Sequence, residues 1–251
     1  MKGDKEALKQ SVFKIKEQRK LTSNVYEMYL VGDTGEITRP GQFVNIQLDG
    51  FFLRRPISVC DVVGGTLKII YKVVGKGTEY MAKLENGTEL DVLTGLGNGY
   101  DIEKSGNSPV LLGGGVGVPP LYMLAKQLIA KGANVRVILG FNTESEIFAK
   151  EDFEKLGCEV TITTVDGSSG VAGFVTDALL QMTDYTYTYC CGPEPMLKAV
   201  YDTSKTSGEY SFEERMGCGF GACMGCSCKT KYGNKRICKE GPVLVKEEII
   251  W

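Results

Sequence analysis

The stretch Pro109-Val110-Leu111-Leu112-Gly113-Gly114-Gly115-Val116-Gly117-Val118-Pro119-Pro120 decides the fold. Its first four residues read as a short buried strand, which runs into a glycine turn. The turn opens an apolar helix expected over Leu121 to Lys131. A turn of this kind can hold a pyrophosphate on backbone N–H groups and the positive end of the helix dipole. It is not the standard G-x-G-x-x-G, and a partial match is often only a tight turn. Outward from it, strands alternate with helices. Asn134 to Leu139, Glu159 to Val165 and Tyr185 to Cys191 read as strands, and Glu144 to Leu156, Gly173 to Met182 and Pro195 to Ser204 as helices. Such alternation predicts right-handed crossovers and a parallel sheet covered on both faces. Cys191-Gly192-Pro193-Glu194-Pro195-Met196 repeats the passage from strand exit to helix start. Two such turns at the carboxyl ends of strands in one sheet are where open α/β folds bind ligands.

Upstream the period is different. From Lys9 to Tyr100 short apolar–polar runs, among them 12–15, 25–30, 43–48, 67–74 and 89–93, are separated by glycines. Closely spaced short strands suggest an antiparallel barrel or sandwich, interrupted by one short helix near Thr78 to Leu84. Two motifs stand out there. In Arg54-Arg55-Pro56-Ile57-Ser58, Arg55 can pair with a phosphate and Ser58 can donate a hydrogen bond. In Gly75-Lys76-Gly77-Thr78, the N–H groups of Gly77 and Thr78 open a helix and can receive an anion. Taken singly, each reads more simply as a surface arginine pair and a turn capped by Thr78.

Downstream, Phe212 to Trp251 is rich in cysteine and glycine. The chain has 251 residues, nine of them cysteine and none histidine. Histidine triads, histidine metal sites and imidazole general bases are therefore excluded. Lys plus Arg is 29 and Asp plus Glu is 31, a balance with no nucleic-acid footprint. Met1 to Lys20 is charged throughout, unlike a signal peptide, and no apolar run has membrane-spanning length. A cytoplasmic protein is expected, in which clustered cysteines bind metal sooner than form disulfides. The cluster reads Met216-Gly217-Cys218-Gly219-Phe220-Gly221-Ala222-Cys223-Met224-Gly225-Cys226-Ser227-Cys228, followed after a gap by Cys238. Cys218, Cys223 and Cys226 give C-x4-C-x2-C with a distant fourth cysteine, the plant-type 2Fe–2S spacing. Glycines between them let backbone approach the sulfurs and aim amide N–H groups at them. A zinc knuckle is the alternative, but it uses paired C-x2-C arms and the second arm is missing. Cys228, two residues past Cys226, would point away from the cluster in an extended stretch. Cys60, Cys158, Cys190 and Cys191 fall on expected strands and read as core or cofactor-adjacent thiols without metal.

The order of Arg55-x-x-Ser58, Gly77-Thr78, Gly113-Gly114-Gly115-x-Gly117 and Cys191-Gly192-Pro193 resembles the ferredoxin–NADP reductase superfamily. Glu213-Glu214-Arg215-Met216-Gly217-Cys218 through Cys228, with Cys238-Lys239-Glu240-Gly241-Pro242-Val243, narrows the resemblance over essentially the whole chain. The narrower likeness is to electron-transfer subunits of NAD-linked, type B dihydroorotate dehydrogenases. It implies a multidomain α+β protein: an antiparallel FAD-binding β-barrel over 9–100, a parallel α/β NAD-binding domain over 108–208 and a small 2Fe–2S domain over 212–251. FAD would contact Arg55, Pro56, Ile57, Ser58, Ile70, Tyr71, Lys72, Gly77 and Thr78. NAD(H) would meet Gly113, Gly114, Gly115, Gly117, Cys191, Gly192 and Pro193. The cluster ligands would be Cys218, Cys223, Cys226 and Cys238. The implied partner is an FMN-containing catalytic subunit, in a heterotetramer of two of each chain. No dihydroorotate site is expected in this chain.

The residues and the resemblance fit one mechanism. A nicotinamide exchanges electrons as a hydride pair, an iron–sulfur cluster one at a time, and a flavin between them can do both. NAD is favoured over NADP because 139–148 and 165–173 contain no Arg or Lys for a 2′-phosphate, while Glu144 and Asp166 are acidic. The same motifs would also serve a reductase subunit of a hydrogenase, a sulfide-oxidising complex or an oxygenase. The cysteine spacing yields a direct expectation: Cys228→Ser keeps its iron, whereas Cys223→Ser loses iron and retains FAD. Iron and flavin analysis of both purified variants checks it, and loss of iron from Cys228→Ser with full iron in Cys226→Ser would reject the ligand set.

Overall fold

In the computed structural model, which describes residues 8–251, six strands close into a barrel. They are β1 (Lys9–Lys20), β2 (Val25–Val31), β3 (Phe43–Ile46), β4 (Arg55–Val63), β5 (Thr66–Lys72) and β6 (Glu89–Leu96), with helix α1 (Lys76–Met81) before the last. All neighbours in the order β1-β2-β5-β4-β3-β6 are antiparallel. Residues 1–7 of the charged start lie outside the described residues. Alternate side chains fill the barrel, as a pleated strand requires: Phe13 and Ile15, Met28 and Leu30, Val44 and Ile46, Leu67 and Ile69. The Asp61–Gly65 segment is the end of β4 and its tight turn into β5, made at Gly64 and Gly65 with φ of +54° and +73°.

The second sheet holds β7 (Val110–Gly114), β8 (Arg136–Phe141), β9 (Glu159–Thr164), β10 (Val171–Ala172), β11 (Thr188–Cys191) and β12 (Gly208–Ser211). Helices α2 (Pro120–Ala130), α3 (Lys150–Lys155), α4 (Val175–Leu180) and α5 (Glu194–Thr203) connect them. The Cys-rich segment forms a hairpin, β13 (Ser227–Thr230) with β14 (Gly233–Arg236), and then returns as β15 (Val243–Val245). The sheet order is β10-β9-β8-β7-β11-β12-β15, parallel except at β15, which pairs antiparallel with β12. The sheet is therefore mixed at one edge, where sequence pattern predicts parallel strands throughout. β12 has no apolar pattern to reveal it. Its Glu209 is 3% exposed because it accepts hydrogen bonds from the Asp101 N–H (2.8 Å) and Lys104 (3.1 Å).

Two further expectations fail locally. The helix expected over Glu144 to Leu156 is a 3₁₀ turn, Glu144–Glu146, and then α3. Between them Ala149 takes φ +62° and Phe148 turns into the core against Phe141, ring centroids 5.4 Å apart. Cys158, expected on a strand, is buried in the loop just before β9. Among the described residues no helix is long and apolar enough to cross a membrane.

Barrel and sheet domain share an apolar core in which Val25, Cys60 and Ile70 meet Leu121, Leu124 and Ala125 of α2. Ion pairs secure one end of this contact. Lys68 of β5 bonds Glu27 of β2 (2.7 Å) and Asp152 of α3 (3.3 Å), and Lys126 of α2 bonds Asp61 of β4 (2.9 Å). Burial alone would raise the Glu27 carboxyl, but hydrogen bonds from Lys68 and Arg19 outweigh it and hold the group below the usual carboxylate range. Removing one partner strands a charge that is 1% exposed. Lys68→Met is therefore expected to lower stability by about 3 kcal/mol, the lower end for a broken buried pair because Arg19 remains. A fall in the urea midpoint measures it. Because the folded-state value of Glu27 is depressed, the wild-type advantage is full above about pH 4.3 and shrinks as pH falls below that.

Candidate functional site

A cavity of about 530 Å³ opens between the barrel rim and the carboxyl ends of β7, β8, β9 and β11. The two glycine turns meet at its floor. At Gly117 a Cβ would overlap the carbonyl of Cys191 and the N–H of Gly192, so only glycine lets the turns touch. Of the residues singled out from sequence, Lys72, Gly114, Gly115, Gly117, Cys191, Gly192 and Pro193 line the cavity. Gly113 does not. Its bare Cα lets Val118 and Leu121 pack against β7, a Cβ there meeting them at 2.9–3.1 Å.

Among the described residues three charged ones face this space: Lys72, Glu146 and Glu213. Glu146 is fixed by Asn142, accepting from its N–H (3.2 Å) and its Nδ2 (2.8 Å). The acids named from sequence are elsewhere. Asp166 is occupied by Ser168, which donates through its N–H and its hydroxyl, and Glu144 is exposed outside the lining. Both named acids belong to segments that border the cavity, but within the first of these segments it is Glu146, in the 3₁₀ turn after β8, whose side chain lines it. Glu213, which the sequence reading used only as part of a motif, is exposed at the edge of the cavity with protein packed around its carboxyl. That packing pushes its carboxyl up. Burial, with the Glu213 charge second, pushes the Cys191 thiol up to about 12. Cys191 is therefore a protonated thiol at neutral pH, without nucleophilic character.

On the barrel, Arg55, Pro56, Ile57 and Ser58 open β4 and are half-buried. The Arg55 guanidinium lies 4.9 Å from the Phe51 ring centroid, donates to the Leu53 carbonyl and crosses Gly77 where any Cβ would overlap it. Thr78 is not the N-cap of α1; Gly75 is. The Thr78 hydroxyl accepts from the N–H groups of Val74 (3.0 Å) and Gly75 (3.3 Å) and so holds the turn in shape. A cation laid beside the first turn of a helix, whose leading N–H groups lack intrahelical partners, suits a phosphate. Ile70 and Tyr71 commit their side chains to the protein core, Tyr71 donating to Gln18 at 2.8 Å. They can offer a ligand only backbone.

The cysteine loop arranges its sulfurs as two pairs. Cys218 Sγ accepts from the N–H groups of Ala222 (3.2 Å) and Cys223 (3.4 Å), and Cys226 Sγ from the N–H of Cys238 (3.4 Å). Burial opposes ionisation of Cys218, but backbone N–H groups of Phe220, Cys223 and Ala222 prevail and bring its thiol down to about 6. Burial, then the neighbouring Cys226 and Cys218, push Cys238 up to about 12. That crowding is what cationic metal would relieve, with release of the proton. Among the described residues no three His, Cys, Asp or Glu side chains gather as a mononuclear site would require. Two pairs suit two irons, each taking two thiolates. Cys228 sits on β13, half-buried and outside both pairs, its thiol directed to the Lys229 carbonyl.

Comparison with known proteins agrees with this geometry. Residues 213–250 match the family of the iron–sulfur cluster binding domain of dihydroorotate dehydrogenase B, and residues 111–202 the oxidoreductase NAD-binding domain. The chain is 41% identical over 250 residues to the electron transfer subunit of dihydroorotate dehydrogenase B (NAD(+)) of Fusobacterium nucleatum subsp. nucleatum, covering 94% of this chain and 96% of that one. Against the corresponding subunit of Bacillus mycoides the identity is 42%, covering 93% and 95%. Among solved structures, a chain of an NADH-dependent reduced ferredoxin–NADP oxidoreductase superposes with TM-score 0.87 at 30% identity, covering all of this chain and 92% of that one. A ferredoxin–NADP reductase from Neisseria gonorrhoeae, solved with FAD and NADP, superposes with TM-score 0.68 at 20% identity, covering 78% and 90%, a likeness of fold.

Proposed function

The chain belongs to the electron-transfer subunits of NAD-linked dihydroorotate dehydrogenase B, and from that membership we propose how its own residues divide the work. The protein carries electrons between NAD and an FMN-containing catalytic subunit through FAD and a 2Fe–2S cluster. One observation supports the route above all others: the three candidate sites are contiguous. Asn45 on β3 stands in register with Pro56 at the head of β4 and donates to the carbonyl of Cys218, while Glu213 joins the cavity wall to the same cysteine loop.

Bound FAD supplies the conversion between hydride pairs and single electrons that neither nicotinamide nor cluster performs. The chain supplies placement. Arg55 neutralises phosphate beside α1, with the half-buried Ser58 as a donor on the same strand. The turns at 113–117 and 191–193 receive the nucleotide, and the Cys191 thiol and Glu213 bound its inner end without acting as nucleophiles. Cys218, Cys223, Cys226 and Cys238 would hold the cluster, as two neighbouring thiol pairs. The functional segments are 9–100, 108–208 and 212–251, although β15 of the last completes the sheet of the second. The working assembly is two of each subunit, in the cytoplasm.

Glu146 is assigned to the adenosine ribose. A carboxylate held by Asn142 at the exit of the strand after α2 accepts from a 2′-hydroxyl and repels a 2′-phosphate. Among the described residues Lys72, on the barrel side, is the one lysine or arginine in the lining. Glu146→Arg is therefore expected to reduce the preference for NADH over NADPH by about ten- to hundredfold, the value of a hydrogen bond to a charged group. The ratio of kcat/KM for the two nucleotides measures it, and an unchanged ratio rejects the assignment.

The subunit reading itself is tested by reconstitution. Alone, the chain is expected to oxidise NADH with artificial acceptors and to leave dihydroorotate untouched. With the FMN-bearing chain added, NADH should form from dihydroorotate and NAD, and this should stop when the cluster is lost. Dihydroorotate turnover by this chain alone would defeat the reading.

A further inference from the structure

A barrel strand ordinarily buries alternate residues, yet β3 buries all four, and one of its two outward residues is an amide. Asn45 is 1% exposed. Its Nδ2 donates to the carbonyl of Cys218 at 3.4 Å, and its Oδ1 has no partner among the described residues and is shielded from solvent. The backbone beneath it is rigid. It pairs with Pro56 on one side and Leu93 on the other, and its carbonyl accepts from Arg54 (3.3 Å), itself held by Asp91 (3.0 Å). From the opposite side Gly219, at φ +78°, presses onto the amide so closely that a Cβ would overlap Nδ2. A buried acceptor left unsatisfied is unfavourable, and an apolar side chain would cover the cysteine loop without it. Stability does not explain an asparagine here.

We propose that Asn45 is a positioning residue that locks the Cys218 end of the cluster loop to the strand pair carrying the FAD motif. With the Cys218 carbonyl pinned, the N–H groups of Ala222 and Cys223 stay aimed at Cys218 Sγ. Those N–H groups favour the extra negative charge of the reduced cluster, so the grip of Asn45 sets the cluster potential as well as its place. The proposal rests on reading this loop as the cluster site. Iron analysis of the wild-type protein tests that reading separately, since a wild type without iron would remove the reading and not this contact alone.

Asn45→Leu removes the donor while keeping the face covered. In the holoprotein it is expected to retain FAD and iron and to lower the cluster potential by the equivalent of about tenfold in its one-electron equilibrium, ~59 mV, in an EPR-monitored redox titration. Loss of iron with FAD retained would also support the proposal, because the loop would then depend on this amide. An unchanged potential and unchanged EPR line shape would overturn it. If Asn45→Leu loses both groups, a cycle from the loop side decides. Gly219→Ala should disturb the potential or iron content by displacing the amide, and adding Asn45→Ala to it should shift either by less than Asn45→Ala does alone, because the contact is already lost. Simple additivity of the two changes would overturn the proposal.

Discussion

The outer surface of β3 and β6 is where the cysteine-rich segment is joined to the barrel. Phe43 turns away from the barrel interior into a core shared with Cys226, Ile237 and Cys238. Gly97, just past β6, is so close to Pro242 and the Gly241 carbonyl that a Cβ would meet them at 2.7 and 3.2 Å. Asn98 continues the seam. It donates to the carbonyls of Glu240 (3.1 Å) and Val243 (2.8 Å) and accepts from the Val243 N–H (3.1 Å). The chain then enters the second sheet as β15. One segment thus packs on the barrel and completes the nucleotide sheet. Burial of apolar surface on both sides makes the placement of the cysteines a property of the whole fold.

Charge is distributed to match what each site must hold. At the α1 turn a guanidinium lies beside the leading helix N–H groups, positive on positive. In the large cavity one lysine stands on the barrel side and carboxylates on the sheet side. The cysteine loop has the harder problem, because thiolates gathered in a small volume repel. Backbone N–H groups relieve part of this at Cys218, whereas burial and the neighbouring cysteines hold the Cys238 thiol up. At the barrel–sheet contact, by contrast, lysines and carboxylates are paired and do no chemistry. They hold two walls of the cavity in register.

Much was legible because it obeys local rules. Strand alternation wrote the barrel, the passage from strand to glycine turn wrote the nucleotide sheet, and C-x4-C-x2-C with a fourth cysteine wrote the cluster. The omissions share a cause. β12 was hidden because its Glu209 looks solvent-bound until Asp101 and Lys104 are brought to it. Glu146, which lines the cavity, did not stand out from Glu144 and Asp166, since sequence spacing does not say which way a 3₁₀ turn will face. Asn45 looked like the polar residue of an ordinary half-exposed strand.

The sequence by itself determined which elements form, which backbone turns can approach an anion, and which four thiols can share a cluster, because those depend on period, propensity and spacing within a few residues. The tertiary structure decided what covers β3, which carboxylate enters the cavity, and how the cysteines divide into pairs. The cover of β3 depends on contacts between segments far apart in the chain, Asn45 with Cys218 being one at a separation of 173. Such contacts form only when apolar burial brings the segments together, and no local pattern encodes the surface that each will meet.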